Sequence, residues 1–321
     1  MIRLVVCLLA ASTLFAQTGK LLGANNFIHS VADLDKSVSF YRDALGLELK
    51  NPAVPMPRYL NDALSDLTNT HGASFRAVAF KIPDAGFDLE LTEFTGVDRT
   101  PAQGRNQDPG VASLVLTVRN LDAALAAAEK AGAPIVTAGG APIMLGSGNK
   151  SIFIRDPDGM FIELSQPNPL PATTAPAGSN VIGGRFATTV KDTDATLKFY
   201  KDVFGFDVKP GAAFASNPPV SQLVDVPNAR FRMSRAVLPG STLTWEFVDY
   251  EGVDRKPFNP PIPDPGAPAF SLRVTDADAL AAAVKSAGGE IVSVGPPLGK
   301  AAGSIFVRDP NGFLLELIQR P

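Results

Sequence analysis

The chain has 321 residues, 45% of them apolar and 19% charged, with a formal net charge of −3. That balance suits a chain that buries cores and excludes a nucleic-acid binder, which needs a concentrated basic face. The single cysteine, Cys7, lies so near the start that disulfides, thiolate metal sites and a cysteine nucleophile are excluded from the rest of the chain.

Residues 1–16 carry one early positive charge, Arg3, then an apolar run, then small residues before Ala16. This is the pattern of a secretory signal, so the protein is expected to be secreted or periplasmic, with residue 17 first in its mature form. No apolar run reaches 18 residues, so no transmembrane span is expected. A strand over 26–31 leads into a helix opened by Asp33, with Leu34, Val38, Tyr41 and Leu45 at helical spacing and Gly46 placed to end it. Strands follow near 47–50, 75–81 and 87–94. The unit then restarts with a strand at 113–118, a helix over 121–131 closed by Gly132, and strands near 134–137, 151–155 and 160–165. Residues 167–180, rich in Pro, Ala and Thr without periodicity, read as a linker. From Arg185 to Gln319 the whole order is retraced.

The retracing is literal. Residues 151–164, Ser-Ile-Phe-Ile-Arg-Asp-Pro-Asp-Gly-Met-Phe-Ile-Glu-Leu, return at 304–317 as Ser-Ile-Phe-Val-Arg-Asp-Pro-Asn-Gly-Phe-Leu-Leu-Glu-Leu. Each copy reads as a hairpin whose turn uses Pro to fix φ and Gly to accept φ > 0. Residues 33–46, Asp-Leu-Asp-Lys-Ser-Val-Ser-Phe-Tyr-Arg-Asp-Ala-Leu-Gly, return at 192–205, and Gly-Val-Asp-Arg stands at both 96–99 and 252–255. Two copies of ordinary domain size mean a duplicated domain, not a solenoid. The second strand of each hairpin carries one carboxylate among apolar residues, Glu163 and Glu316, and burying such a group unpaired is costly.

The module order, with residues 33–46 and the closing Arg-Asp-Pro-Asp-Gly-Met-Phe-Ile-Glu-Leu, resembles the vicinal oxygen chelate superfamily, which includes glyoxalase I, bleomycin-resistance proteins, fosfomycin-resistance enzymes and extradiol dioxygenases. The resemblance implies an α+β fold of four βαβββ modules, paired into two curved-sheet, barrel-like domains at 24–166 and 181–321, each around a cavity. It implies a small-molecule ligand, a monomer or weak homodimer, and in catalytic members a divalent metal held from the first and fourth strands. Carried over by register, the first-strand positions are Asn26, Ser113, Arg185 and Ala269, and the fourth-strand positions are Glu90, Glu163, Glu246 and Glu316. All four carboxylates are kept and the imidazoles are lost.

Zinc, nickel and iron sites draw on imidazole, whereas carboxylate and carbonyl ligands suit harder cations. The chain has two histidines. Strand alternation puts Asn26, Ile28 and Ser30 on one face and His29 on the other, so His29 reads as structural, and His71 as a loop residue. The same parity turns Arg185 and Arg273 inward with Glu246 and Glu316, and Arg185 is expected to neutralise Glu246, Glu316 or both. In the first half no first-strand arginine is available. There, either one divalent cation binds Glu90 and Glu163, or one of these glutamates takes up a proton as burial raises its pKa. Two functions follow: an exported lyase, isomerase or dioxygenase with Glu90 and Glu163 as metal ligand and base, or a metal-independent small-molecule binder. Asn26, Ser113, Arg185, Glu246, Arg273 and Glu316 are the expected ligand-contacting residues. The Gly-Val-Asp-Arg segments read as pins for a module connection.

Overall fold

The computed structural model describes residues 19–50, 59–60, 62–146, 148–294 and 303–319, so the expected leader at 1–16 lies outside the described residues. The first module comprises β1 (Leu21–Val31), α1 (Leu34–Ser39), the short β2 (Glu48–Leu49) and β3 (Tyr59–Leu60), α2 (Asp62–Thr68), β4 (Ser74–Lys81) and β5 (Asp88–Thr95). The second comprises β6 (Ala112–Val118), α3 (Leu121–Lys130), β7 (Ile143–Met144), β8 (Lys150–Arg155) and β9 (Phe161–Gln166). The third runs through β10 (Val181–Val190), α4 (Thr193–Phe204), β11 (Asp207–Lys209), β12 (Ala215–Ser216), α5 (Pro218–Leu223), β13 (Arg230–Val237) and β14 (Thr244–Glu251). The fourth holds β15 (Pro268–Val274), α6 (Ala277–Ser286), β16 (Glu290–Ile291), β17 (Ser304–Arg308) and β18 (Leu314–Gln319).

Each module's long helix starts for the same local reason. Asp33, Asn120, Asp192 and Asp276 accept, through their side chains, the backbone N–H of Lys36, Ala123, Ala195 and Ala279. Each thereby satisfies one of the donors that an open helix end leaves unpaired. The continuous helix expected after Asp33 is shorter: beyond Ser39 it widens into a π-helical turn over Phe40–Ala44, where the Leu45 N–H bonds the Phe40 carbonyl at 3.1 Å.

The sheets do not close within the halves. One sheet runs β16-β17-β18-β15-β1-β5-β4-β2 and joins the first module to the fourth; the other runs β11-β13-β14-β10-β6-β9-β8-β7 and joins the third to the second. The expectation of one curved sheet inside 24–166 and another inside 181–321 is corrected accordingly. β1 lies antiparallel to β15 with Ile28 opposite Ala269, and β10 antiparallel to β6 with Ala187 opposite Ser113. The cause lies in the connectors that follow β5 and β14, which lace through one another. Asp264 accepts the Thr100 N–H at 3.0 Å and Asp108 accepts the Lys256 N–H at 2.8 Å, so each half's second module is led over to the other half's first. Arg99 and Arg255 fasten the same crossings, donating at 3.1 Å to the carbonyls of Val31 and Val190, which is the pinning role expected of Gly-Val-Asp-Arg.

The outer faces of the sheets meet in one core, where the Phe186 ring lies 4.4 Å from Phe270, 4.6 Å from Trp245 and 5.4 Å from Phe27. The crossing is tight at Gly110, which has φ +95° and where an added Cβ would stand 2.1 Å from the Phe258 carbonyl oxygen. Gly110→Ala is therefore expected to lower stability by roughly 1–3 kcal/mol, and by more than Gly46→Ala, whose φ of +73° is similar but whose surroundings are open. Urea midpoints of the two variants measure the difference.

Candidate functional site

Each sheet curls around a cavity lined from both halves. In the first-and-fourth-module sheet the floor is Glu90 on β5 and Glu316 on β18, with Ile28, Ser30, Ala269 and Leu314 beside them and Phe75, Phe94 and Phe306 among the walls. Its empty volume, open mouth included, is about 570 Å³. β1 and β5 are parallel with Ile28 in register with Glu90, so both face inward while Phe27, His29 and Val31 turn to the core, as strand parity requires. Asn26 donates its side-chain N–H to Glu90 at 2.5 Å, Thr92 donates at 3.4 Å, and Ser271 donates to Glu316 at 2.5 Å. Burial pushes the Glu90 carboxyl up to about 7, the charge of Glu316 adds to this, and the bonds from Asn26 and Thr92 oppose it.

In the second-and-third-module sheet the floor is Ser113, Glu163, Arg185 and Glu246, within an empty volume of about 750 Å³. The Nε of Arg185 lies 3.0 Å from Glu246, as expected from parity. Arg235, which sequence reasoning passed over, grips the other Glu246 oxygen through Nε at 3.1 Å and Nη2 at 3.0 Å. Its signal was its place opposite Glu246 on the antiparallel strand, legible only once β13 and β14 are in register. Burial raises the Glu163 pKa, and the Arg185 charge pulls against it.

Three expectations change. Glu90 and Glu163 do not share a site, because they stand on different sheets. Glu316 joins Glu90 and lies away from Arg185, so Arg185 neutralises Glu246 and not Glu316. Arg273 is exposed at the strand end, where an added Cβ at Gly23 would meet its guanidinium, and it lines neither cavity. All three follow from the exchange of modules, which replaces each half's own fourth-strand partner by the other's.

Among the described residues, one group of His, Asp and Glu side chains could gather a metal ion: His29, Asp156 and Asp158, whose ligand atoms lie within 4.8 Å of one another. These atoms already serve each other and the backbone. Asp156 Oδ2 accepts from the Tyr41 hydroxyl at 2.8 Å and lies 2.7 Å from His29 Nε2, a close ion pair not aligned as a hydrogen bond. Asp156 Oδ1 accepts the N–H of Asp158 and of Met160, and Asp158 accepts from Ala32 N–H at 2.7 Å and the Ser37 hydroxyl at 2.8 Å. Burial would lower the His29 pKa, but the charge of Asp156, and behind it Asp158, raises it overall. The arrangement works as a strut between the sheets, and the sequence reading of His29 as structural agrees with it. His71 is exposed on the loop after α2, 3.7 Å from Asp66.

The metal expected from resemblance can be tested against the donors. Asn26, Glu90, Glu316 and Ser271 offer oxygen alone, which suits a hard divalent cation and not zinc or iron. Glu90, whose proton affinity burial and the Glu316 charge raise, also offers charge that such a cation would balance. The other cavity does not fit a cation, because the Arg185 guanidinium holds the corresponding first-strand position.

Compared with known proteins, the chain matches the model of the Glyoxalase/Bleomycin resistance protein/Dioxygenase superfamily over residues 24–164 and 184–317. It is 25% identical over 186 residues to "Probable lactoylglutathione lyase, chloroplastic" of Arabidopsis thaliana, a match that covers 56% of this chain and 43%, under half, of that protein. The crystal structure of glyoxalase I from Zea mays superimposes with a TM-score of 0.59 at 19% identity, covering 94% of this chain and 92% of that one.

Proposed function

Since the chain belongs to the Glyoxalase/Bleomycin resistance protein/Dioxygenase superfamily, we propose that it binds a small oxygenated molecule in the cavity of the first-and-fourth-module sheet and acts there as a lyase or isomerase with a hard divalent cation. The observation that carries this reading is the meeting of Glu90 and Glu316 on one cavity floor, with Asn26 bonded to Glu90 and the Glu90 carboxyl held at about 7. Asn26, Glu90 and Glu316 would hold the cation, which would supply positive charge against an oxygen of the ligand. Without the cation a carboxyl near 7 is divided between its two protonation states at neutral pH, and with the cation bound Glu90 would be ionised, the form that takes a proton from a carbon acid. Asn26 steadies the ionised state, and the phenylalanines of the walls keep water from the ligand's apolar part. Dioxygenase chemistry is disfavoured because non-haem iron draws on two histidines, and this floor has none. For the other cavity, the Arg185–Glu246–Arg235 cluster favours a second reading, ligand binding without metal.

The test is metal retention. After incubation with Mn, Mg or Ca and desalting, about one equivalent per chain is expected, lost in Glu90→Gln and Glu316→Gln and kept in Glu163→Gln. Equal retention in all three variants, or none in the native protein, ends the metal reading. We place the protein outside the cytoplasm as a monomer or weak homodimer; an exported form whose N-terminus is Gln17, measured by mass spectrometry, tests the first, and sedimentation tests the second.

A further inference from the structure

We infer that the second-and-third-module cavity is a binding site for a monocarboxylate with an apolar body, seated on Arg185. This inference rests on the reading of that cavity as a metal-free ligand site and adds the chemistry of what it takes.

The charge balance of the floor comes first. Glu246, 4% exposed, lies between two guanidinium groups, Arg185 on one oxygen and Arg235 on the other. Arg235 reaches its Glu246 oxygen from an exposed position outside the cavity, so Glu246 is shared and Arg185 is the guanidinium that lines the cavity. Glu163, on the neighbouring β9, forms no ion pair with Arg185 among the described residues, and burial raises its pKa while the Arg185 charge opposes the rise. The Arg185 guanidinium is therefore presented to a ligand.

The donor geometry comes second. Arg185 spends only Nε on Glu246; its Nη1 and Nη2 groups make no hydrogen bond among the described residues while the side chain lines the cavity. A guanidinium with an open edge matches the two oxygens of a carboxylate in a bidentate, charge-assisted pair. A single guanidinium in the lining suits a monoanion. A phosphate dianion would leave one negative charge uncompensated in a largely apolar enclosure.

The walls come third. Leu145 and Phe153 from the second module and Leu223, Val224, Val248 and Tyr250 from the third enclose the remaining space. These mostly apolar walls would receive a chain or ring. Among the described residues of its lining the companion cavity has no arginine, so the two sites divide the chemistry between them.

Isothermal titration of the full chain with octanoate, and with octanamide as its uncharged counterpart, tests this. Octanoate is expected to bind at one site at least tenfold more tightly than octanamide. Arg185→Met should remove that preference while still binding octanamide, and Arg185→Lys should restore only part of it. Leu223→Trp, which fills the cavity and leaves the floor untouched, should abolish binding of both. If octanoate and octanamide bind equally, the carboxylate assignment fails while the metal-free site stands. If neither binds, or if Leu223→Trp leaves octanoate binding unchanged, the site itself is overturned.

Discussion

Asp156→Ala is expected to destabilise the protein by about 3–5 kcal/mol, more than any other single side-chain truncation outside the apolar core. The change removes the counter-charge of a fully buried histidine, the acceptor of the Tyr41 hydroxyl and the acceptor of two backbone N–H groups. Burial alone would push the Asp156 carboxyl up, but the charge and contact of His29, with the bonds from Tyr41 and Met160, hold it below the usual carboxylate range. The partner His29 is raised. A raised histidine binds its proton more tightly folded than unfolded. Its stabilising share is therefore complete below the unfolded value of about 6.5 and fades as pH rises through the higher folded value. In the variant the buried imidazole has lost the carboxylate that raised it, and burial then favours its neutral form. The stability loss should thus be largest below about pH 6.5 and shrink as the solution becomes alkaline.

The duplicate network supplies the control. Asp309 there accepts from the Tyr200 hydroxyl at 3.0 Å and from the Asn311 side-chain amide at 3.0 Å, and Thr188 stands where the other copy has His29. Without a histidine, burial dominates and pushes the Asp309 carboxyl up. Asp309→Ala should therefore cost less, since no histidine charge is lost with it. Urea unfolding of both variants between pH 5 and 9 decides the matter: an Asp156→Ala loss that is constant across that range would contradict the ion pair.

These two networks mark where the sequence stopped being readable. Strand alternation placed Ile28 inward and His29 outward, and put Arg185 on the same face as Glu246, because a period of two needs no knowledge of the partner strand. The Asp-Pro-Asp-Gly turn was read from backbone geometry alone, yet its two aspartates are what His29, Tyr41 and Ser37 hold. Nothing local in residues 156–159 names a partner more than a hundred residues away. The same limit hid the exchange of modules. Since 24–166 and 181–321 repeat one another, β1 finds a nearly equivalent edge on β6 or on β15, and the hydrophobic pattern is satisfied by either. The choice is made in the connectors, by Asp108, Asp264 and two glycines whose neighbours come from the other half. Once that choice is known, the four carboxylates of the register sort into Glu90 with Glu316 in one cavity and Glu163 with Glu246 in the other, the second beside Arg185.

In the first of these pairs, the ionisation of Glu90 should be visible in stability itself. Its folded value of about 7 lies above the value of about 4.5 for a free carboxyl, mainly through burial and next through Glu316. Between these values the folded protein binds the proton more tightly than the unfolded chain, so stability falls as pH rises from about 4.5 to 7, by roughly 2–3 kcal/mol for a shift of this size. Glu90→Gln has no proton to lose. It should match the native protein near pH 4.5 and exceed it in stability above pH 7, in the absence of divalent cations. Glu316→Gln removes only the second cause, so it should flatten the decline in part, because burial remains. A hard cation reverses the order. At about one hundred times its dissociation constant it stabilises the native protein by roughly 2.7 kcal/mol, and it should leave Glu90→Gln where it was. Thermal or urea unfolding at pH 8, with and without Mn, compares the two directly. A native protein no less stable at pH 8 than at pH 5 without metal would mean that Glu90 ionises freely. A cation that stabilised native and Glu90→Gln alike would bind elsewhere, and the floor of this cavity would then be a polar strut and not a reaction centre.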